Sequence, residues 1–563
     1  MTNSINLHRY AGILAILGVS AASLCYIMWR RRNPDHVLFD CSEVLIAFSP
    51  KYVCDTGIPP VIHLQFFLYN LQKKSGPTVK ELKDLGNKLF AAKKYGDSIK
   101  IFSKAISACS PEDGELLKAV CFQNRAAAKE HYGGYSIDDM LSDCQDALKY
   151  NPRYAKAYLR KARLLNMKKE YMPSLICLYC ATQLDPALDT QAKSILSSLL
   201  EKLEKNSYES WLHDSGVQGS RKHVRHEKVY NWLHKTVVSD CIRRDVISPR
   251  VFGNSPYATA ILKVRNKEYD DVADTAIQED GENLLKALIL AGRFYFYQNR
   301  LDLLSSCLGR FDLVFNELPE TRNVEKQELL NAKYILCIEA GRTYDDVKKT
   351  NADFYVMAAV RYVLCNEPCA AMEILSTEGI YTDNMKLLQL TLQILNNFIP
   401  GDRTLDMGML HRNIMDLENF VSRLEPKTGY ALSALAKITA TFSSDESARL
   451  ISEDVLRLEP NESIHYYDRS CMAASCKEGI DYLEKCLAIE PYHAEANLML
   501  ASLLLNEIGA RALTEDEYEK IEKHNSIALS TFDDNIDFPV LMGVFRLREI
   551  LLAKKEVSKI LGS

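Results

Sequence analysis

Glycine (24) and proline (18) are both scarce in this chain of 563 residues, and tryptophan occurs three times. So little of either breaker excludes a collagen or a proline-rich disordered chain. Alternating strand patterns are few outside residues 37–67, so an all-α protein is expected. Neither sign of charge dominates. The balance of 69 Lys+Arg against 74 Asp+Glu leaves −5, and a chain built to bind nucleic acid would be basic, so no nucleic-acid role is expected. Long uncharged runs are missing beyond residue 29, which excludes a multi-span membrane protein. Catalytic signatures are missing too. The chain has no G-x-x-x-x-G-K-S/T, no G-x-G-x-x-G after a strand, no G-x-S-x-G and no H-E-x-x-H. No enzymatic activity, cofactor or metal is expected.

What is present is ordinary globular material: 47% hydrophobic and 25% charged residues. The length suits three or four domains of about 150 residues, or one long repeat array. The 16 cysteines are scattered, many in helical contexts, where free thiols act as small hydrophobes. Cys177 and Cys180 form a CxxC without a second CxxC or a nearby histidine pair, so a packing role is expected of them. The same holds for Cys365 with Cys369 and for Cys471 with Cys476.

Residues 11–29 are uncharged. As a helix they would extend about 28 Å, enough for a bilayer core. Arg30, Arg31 and Arg32 follow, while His8, Arg9 and the amino terminus precede. Positive charge stays on the cytosolic side, which gives a transmembrane signal anchor at 11–29, a short non-cytosolic tail at 1–10 and a cytosolic body. A cleaved signal peptide would carry its charge before the apolar run instead. Residues 30–77 form a linker of uncertain structure. Within it 37–72 is apolar and aromatic, but its longest run free of charge and proline is 61–72, too short to span. An interfacial segment, a partner site and a stretch dispensable for the fold remain open for it. Thr78 then stands three residues before Glu81, a capping box that opens a helix.

The body carries an internal period near 34. Leu85-Gly86-Asn87, Phe90, Ser98, Phe102 and Ala105 lie in residues 79–112. Asn124-Arg125-Ala126 and Ala147 precede Pro152, and Ala162, Leu165, Ser174 and Ala181 precede Pro186, 34 residues on. Small residues recur where two antiparallel helices touch, large ones where they interlock, and proline ends the second helix. This is the tetratricopeptide (TPR) pattern, whose helix pairs stack into a superhelical solenoid with a concave groove. Residues 187–204 read as a solvating helix that closes the block. The basic run at 220–228, with His223 and His226 three apart, reads as a solvated loop or helix face. Repeats resume with Ala291-Gly292, Tyr295, Leu304 and Leu308, then with Ala358, Tyr362, Ala370 and Leu375. Glu459-Pro460 and Glu490-Pro491 each end a helix. About ten or eleven repeats are expected, in a block at 78–204, a connecting region at 205–254 and a block at 255–563.

Five residues on the first helices of the first three repeats carry binding chemistry. Lys83 and Asn87 are i,i+4 on one helix, Asn124 lies on the next, and Lys156 and Arg160 are i,i+4 on the third. Like charges one turn apart cost a helix a few tenths of a kcal/mol, so a bound anion explains them better than folding does. An extended peptide end with a terminal carboxylate and an aspartate side chain fits, with the amides on its main chain and terminal carboxylate and the cations on its charge.

These residues resemble the carboxylate clamp of TPR domains that bind the Glu-Glu-Val-Asp tails of the 70- and 90-kDa heat-shock chaperones (Hsp70 and Hsp90). Together with the anchor, the arginines behind it and a long second TPR block, the chain resembles the large TPR receptors of the mitochondrial outer-membrane translocase, the 70-kDa type. That resemblance implies a single-pass outer-membrane receptor with the bulk of the chain in the cytosol. It implies docking of Hsp70 and Hsp90 through their C-terminal peptides at Lys83, Asn87, Asn124, Lys156 and Arg160. It further implies that the C-terminal TPR block binds mitochondrial precursors lacking presequences, such as carrier proteins, and passes them to other translocase subunits. A TPR co-chaperone anchored at the endoplasmic reticulum shares the clamp and differs in address.

Overall fold

A computed structural model describes residues 77–562 apart from 111–113, 216–222, 236–239, 249–252, 319–322, 342–351, 365–366, 377–381, 397–406, 510 and 532–537. The expected anchor at 11–29 and the segment 37–72 lie outside the described residues. Among the described residues all regular structure is helical, and no helix is long and apolar enough to cross a membrane.

The chain divides into two compact units. One gathers residues 77–209 with 508–518 and 545–562, and the other gathers 210–507 with 519–544. In the first unit three helix pairs follow one another: α1 (Val79–Ala91) with α2 (Tyr95–Ala108), α3 (Glu115–Tyr132) with α4 (Ile137–Tyr150), and α5 (Ala155–Met167) with α6 (Tyr171–Leu184). A long helix α7 (Asp189–Ser215) comes next. Each pair packs internally, and successive first helices α1, α3 and α5 are neighbours.

Local chemistry sets these boundaries. Thr78 accepts from the Glu81 N–H at 3.3 Å while Glu81 accepts from the Thr78 N–H at 3.0 Å, the capping box expected from the sequence. Ser136 and Asp139 repeat it at α4. The small residues of the repeat lie at the touching points. Gly86 faces Phe102 so closely that a Cβ there would fall 2.5 Å from the ring, and Ser98 Oγ donates to the Gly86 carbonyl at 2.9 Å. Ser174 Oγ does the same to the Ala162 carbonyl at 2.7 Å in the third pair. In the turns that join helices, Lys93, Lys169, Lys267 and Asn299 adopt left-handed φ values of 57–67°. The next residue's N–H then reaches back to cap the helix, as Lys94 does to Leu89 at 2.9 Å and Glu170 to Leu165 at 2.9 Å. Cys177 and Cys180 are buried free thiols in the core, pushed up by burial to about 11 and about 12.

The second unit runs through α8 (His226–Lys235), α9 (Cys241–Ile247), α10 (Pro256–Arg265), α11 (Val272–Ala276), α12 (Leu284–Tyr297), α13 (Leu301–Asn316), α14 (Asn323–Glu339), α15 (Ala352–Leu364), α16 (Pro368–Leu375), α17 (Asp383–Asn396), α18 (Met407–Arg423), α19 (Gly429–Phe442), α20 (Asp445–Leu458), α21 (Ser463–Cys471), α22 (Cys476–Ile489) and α23 (Ala494–Ile508). Helices α24 (Glu515–Thr531) and α25 (Phe538–Gly562) follow. The pairs α12–α13, α15–α16, α19–α20 and α21–α22 pack closely, as in the first unit. Both units are thus TPR-like helical solenoids.

Four sequence expectations need correction. First, α7 is not a solvating helix over 187–204. Leu199, Leu200 and Leu203 are buried in a core shared with Ala553 and Val557 of α25, and Glu204 pairs with Arg546. An apolar face that looks unpartnered locally is covered by chain more than 340 residues away. Second, the compact units are drawn differently from the expected blocks. Residues 508–518 and 545–562 pack with the first unit, and the expected connecting region from 210 onward packs with the second, where Trp232 is a core residue.

Third, the register expected in 352–376 is shifted. Leu375 is buried, but Tyr362 is exposed and the buried face runs through Tyr355, Ala359 and Val363. Fourth, the basic run is not a solvated face over its described part. Arg225 and His226 are only 7% and 6% exposed. Arg225 pairs with Glu495 and, at 3.1 Å, with Glu227. The His226 N–H donates to Glu490 at 2.9 Å, and its ring lies 2.6 Å from the Tyr269 hydroxyl and pairs with Glu462. His223 lies 2.7 Å from Asp270 and stacks on Tyr492.

Glu490, the acidic residue of one Glu-Pro helix end, is among the carboxylates that meet this run, while Glu459 of the other end accepts from the Gly429 N–H at 2.8 Å. Glu459 also accepts from the Tyr230 hydroxyl at 2.8 Å and lies 2.7 Å from His465 Nε2. Burial works against its charge. The bond and charge of His465 outweigh that and hold its carboxyl down at about 2.

Candidate anion-binding site

The five residues singled out on the first helices all lie in the first unit. Asn87 on α1 and Asn124 on α3 are brought together directly: Asn124 Nδ2 donates to Asn87 Oδ1 at 2.8 Å. Lys83, one turn before Asn87, lies 2.8 Å from Asp84 Oδ1. Burial pushes the Cys121 thiol up to about 11, against the pull of the Lys83 charge. On α5, Arg160 is ion-paired with Glu130 of α3, and its Nε is buried without a partner. Lys156, one turn earlier, is exposed and has no partner among the described residues. No hydrogen bond or ion pair among the described residues joins the α5 cations to the amide pair.

Further residues bind the same helices to one another. Tyr154 at the start of α5 donates to the buried Gln123 of α3 at 3.4 Å, and Arg163 of α5 donates to Gln191 of α7 at 3.2 Å. Arg125 and Lys129 are cations on α3 as well, but both turn to the buried Asp143 of α4, at 2.6 and 2.8 Å. They hold the second pair together and are not part of the cluster. Glu130 is the residue the sequence did not disclose. Its partner is 30 positions away, and no periodicity marks it.

The chemistry available is therefore amide hydrogen bonding between α1 and α3, flanked by ammonium groups on α1 and α5 and a guanidinium on α5. A guanidinium carries five N–H donors, and Arg160 spends few of them on Glu130.

Sequence comparison finds named relatives for this chain. No family model matches the chain. A mitochondrial import receptor subunit of Caenorhabditis elegans, tomm-70, is 28% identical over 279 residues, 48% of this chain and 48% of that protein. The rat import receptor subunit TOM70 is 26% identical over 245 residues, 40% of this chain and 38% of that protein. An Hsp70/Hsp90 co-chaperone of Schizosaccharomyces pombe, cns1, is 31% identical over 145 residues, 26% of this chain and 37% of that protein. The chain thus spans half or less of the length of the curated relatives it matches. Its similarity to import receptors of the 70-kDa type, read above from the anchor, clamp and repeats, is found directly in the sequence.

Proposed function

We propose that this protein is a receptor for mitochondrial protein import that docks cytosolic Hsp70 and Hsp90 by their acidic C-terminal tails. The observation that carries the reading is the likeness to import receptor subunits across 48% of the chain. The cluster on α1, α3 and α5 supplies the docking chemistry. Asn87 and Asn124 take the terminal carboxylate and main chain of the tail, while Lys83, Lys156 and Arg160 neutralise its acids. The interval between the amide pair and the α5 cations is what an extended peptide end would bridge. The second unit receives hydrophobic precursors that lack presequences, such as carrier proteins, and hands them to other translocase subunits. Residues 11–29 tether the chain to the outer membrane, with the body in the cytosol. The protein binds and delivers, and it performs no chemistry of its own.

The likeness to an Hsp70/Hsp90 co-chaperone over 145 residues favours one other reading, a co-chaperone role; with residues 11–29 as its anchor, that protein would sit at the endoplasmic reticulum. Microscopy separates the two. A full-length chain with a C-terminal fluorescent tag marks mitochondria, and the same chain without residues 1–32 is diffuse in the cytosol. A reticular pattern for the full-length chain would defeat the import reading and leave the clamp standing.

A further inference from the structure

Two of the three cations in the cluster already hold a carboxylate of their own unit. Lys83 holds Asp84 at 2.8 Å, and Arg160 holds Glu130. The two contacts differ in kind. Asp84 is the chain neighbour of Lys83, and its side chain is half exposed, so that pair opens into water easily. Glu130 comes from a different helix and is more enclosed. Its side chain is 26% exposed and that of Arg160 15%. The pair ties α3 to α5, as the Gln123–Tyr154 bond also does. Arg160 Nε is meanwhile buried with no acceptor. The guanidinium is thus held on one side by a resident carboxylate and lacks an acceptor at a buried N–H.

We propose that Glu130 is a built-in competitor of the ligand, a resident carboxylate on Arg160 that sets both the affinity of the site and its selectivity for acidic peptide ends. This rests on the clamp reading of Arg160. The charge arithmetic gives the reason. Lys83, Lys156 and Arg160 supply three positive charges, and Asp84 and Glu130 take back two. A ligand carboxylate arriving at Arg160 meets a site already largely neutralised, and it must share the guanidinium with Glu130 or turn Glu130 away. A lone weak anion gains too little to do so. A peptide end also engaged by Asn87, Asn124 and Lys156 delivers its carboxylate at high effective concentration and prevails. Glu130 therefore rejects stray anions at a cost in affinity for the proper tail, which is specificity by an opposing charge.

The test is calorimetric titration of the full-length protein, its Glu130→Gln and Glu130→Ala variants, and Arg160→Ala, with an acidic chaperone-tail peptide. A generic anionic peptide of equal charge and amidated C-terminus serves as comparison. Both Glu130 variants are expected to bind the tail about three- to tenfold more tightly, and to bind the generic peptide measurably, while their thermal midpoint falls slightly. A purely structural role for Glu130 would lower the midpoint and weaken binding together. If Arg160→Ala weakens tail binding but both Glu130 variants bind as the parent or worse, the competitor role is wrong and the clamp remains. If Arg160→Ala binds as the parent does, the clamp reading falls and the role of Glu130 falls with it.

Discussion

Replacing Arg160 with alanine lowers the affinity for an acidic chaperone-tail peptide by roughly ten- to a hundredfold, the loss of one charge-assisted contact worth about 1.5–3 kcal/mol. The position of Arg160 is what makes the effect large. Its side chain is mostly enclosed between α3 and α5, so a ligand carboxylate meeting it is partly shielded from water and salt. Lys156, one turn away and exposed, contributes less and is screened more. The variant should keep its helix content. The alanine leaves Glu130 unpaired, but that carboxylate is partly exposed and can turn into solvent. Circular dichroism checks the fold and calorimetry the affinity. Unchanged tail affinity in a folded variant would remove Arg160 from the site.

The second large effect is on stability. Arg225→Ala destabilises the second unit by about 3–5 kcal/mol, because it strands the buried Glu495 charge that Arg225 neutralises. Glu495 also lies 3.2 Å from His493. Burial alone would lower the His493 pKa. The Glu490 charge and the bond to Glu495 outweigh burial and lift it to about 9. Below about 6.5 this ring is charged in both the folded and unfolded chain, so its contribution is fully present. It fades as pH rises toward 9. His493 therefore offsets only part of the loss, and offsets less in alkaline solution. Thermal or urea unfolding at neutral pH measures the effect, with tail-peptide binding by the first unit as a control for intact protein. A change under 1 kcal/mol would mean that Arg225 is solvated after all.

The first unit was legible because its signals are local. A capping box, small residues at helix contacts and prolines 34 apart each act within a few turns, and Thr78, Gly86, Ala126, Ala162 and Pro186 mark the register without reference to anything distant. The placement of Lys83, Asn87, Asn124, Lys156 and Arg160 on first helices was legible for the same reason, since i,i+4 spacing and repeat period put them there. What escaped depends on partners far along the chain. Periodicity tells which face of α7 is apolar, but not that Ala553 and Val557 cover it. A run of basic residues looks solvated until three glutamates 236 to 270 positions away pair with it. Nothing local in the sequence marks Glu130, because its partner lies in the next repeat. In 352–376 the apolar residues are dense enough to allow two registers, and packing chose the one that leaves Tyr362 outside.

The most direct measurement of the central claim compares one tail peptide in two forms, with a free C-terminal carboxylate and with a C-terminal amide, titrated into the full-length protein. Capture of the carboxylate by Asn87, Asn124 and the flanking cations predicts that amidation weakens binding at least tenfold and flattens its dependence on salt. Equal affinity for the two forms would mean that the peptide end is not what the three helices hold.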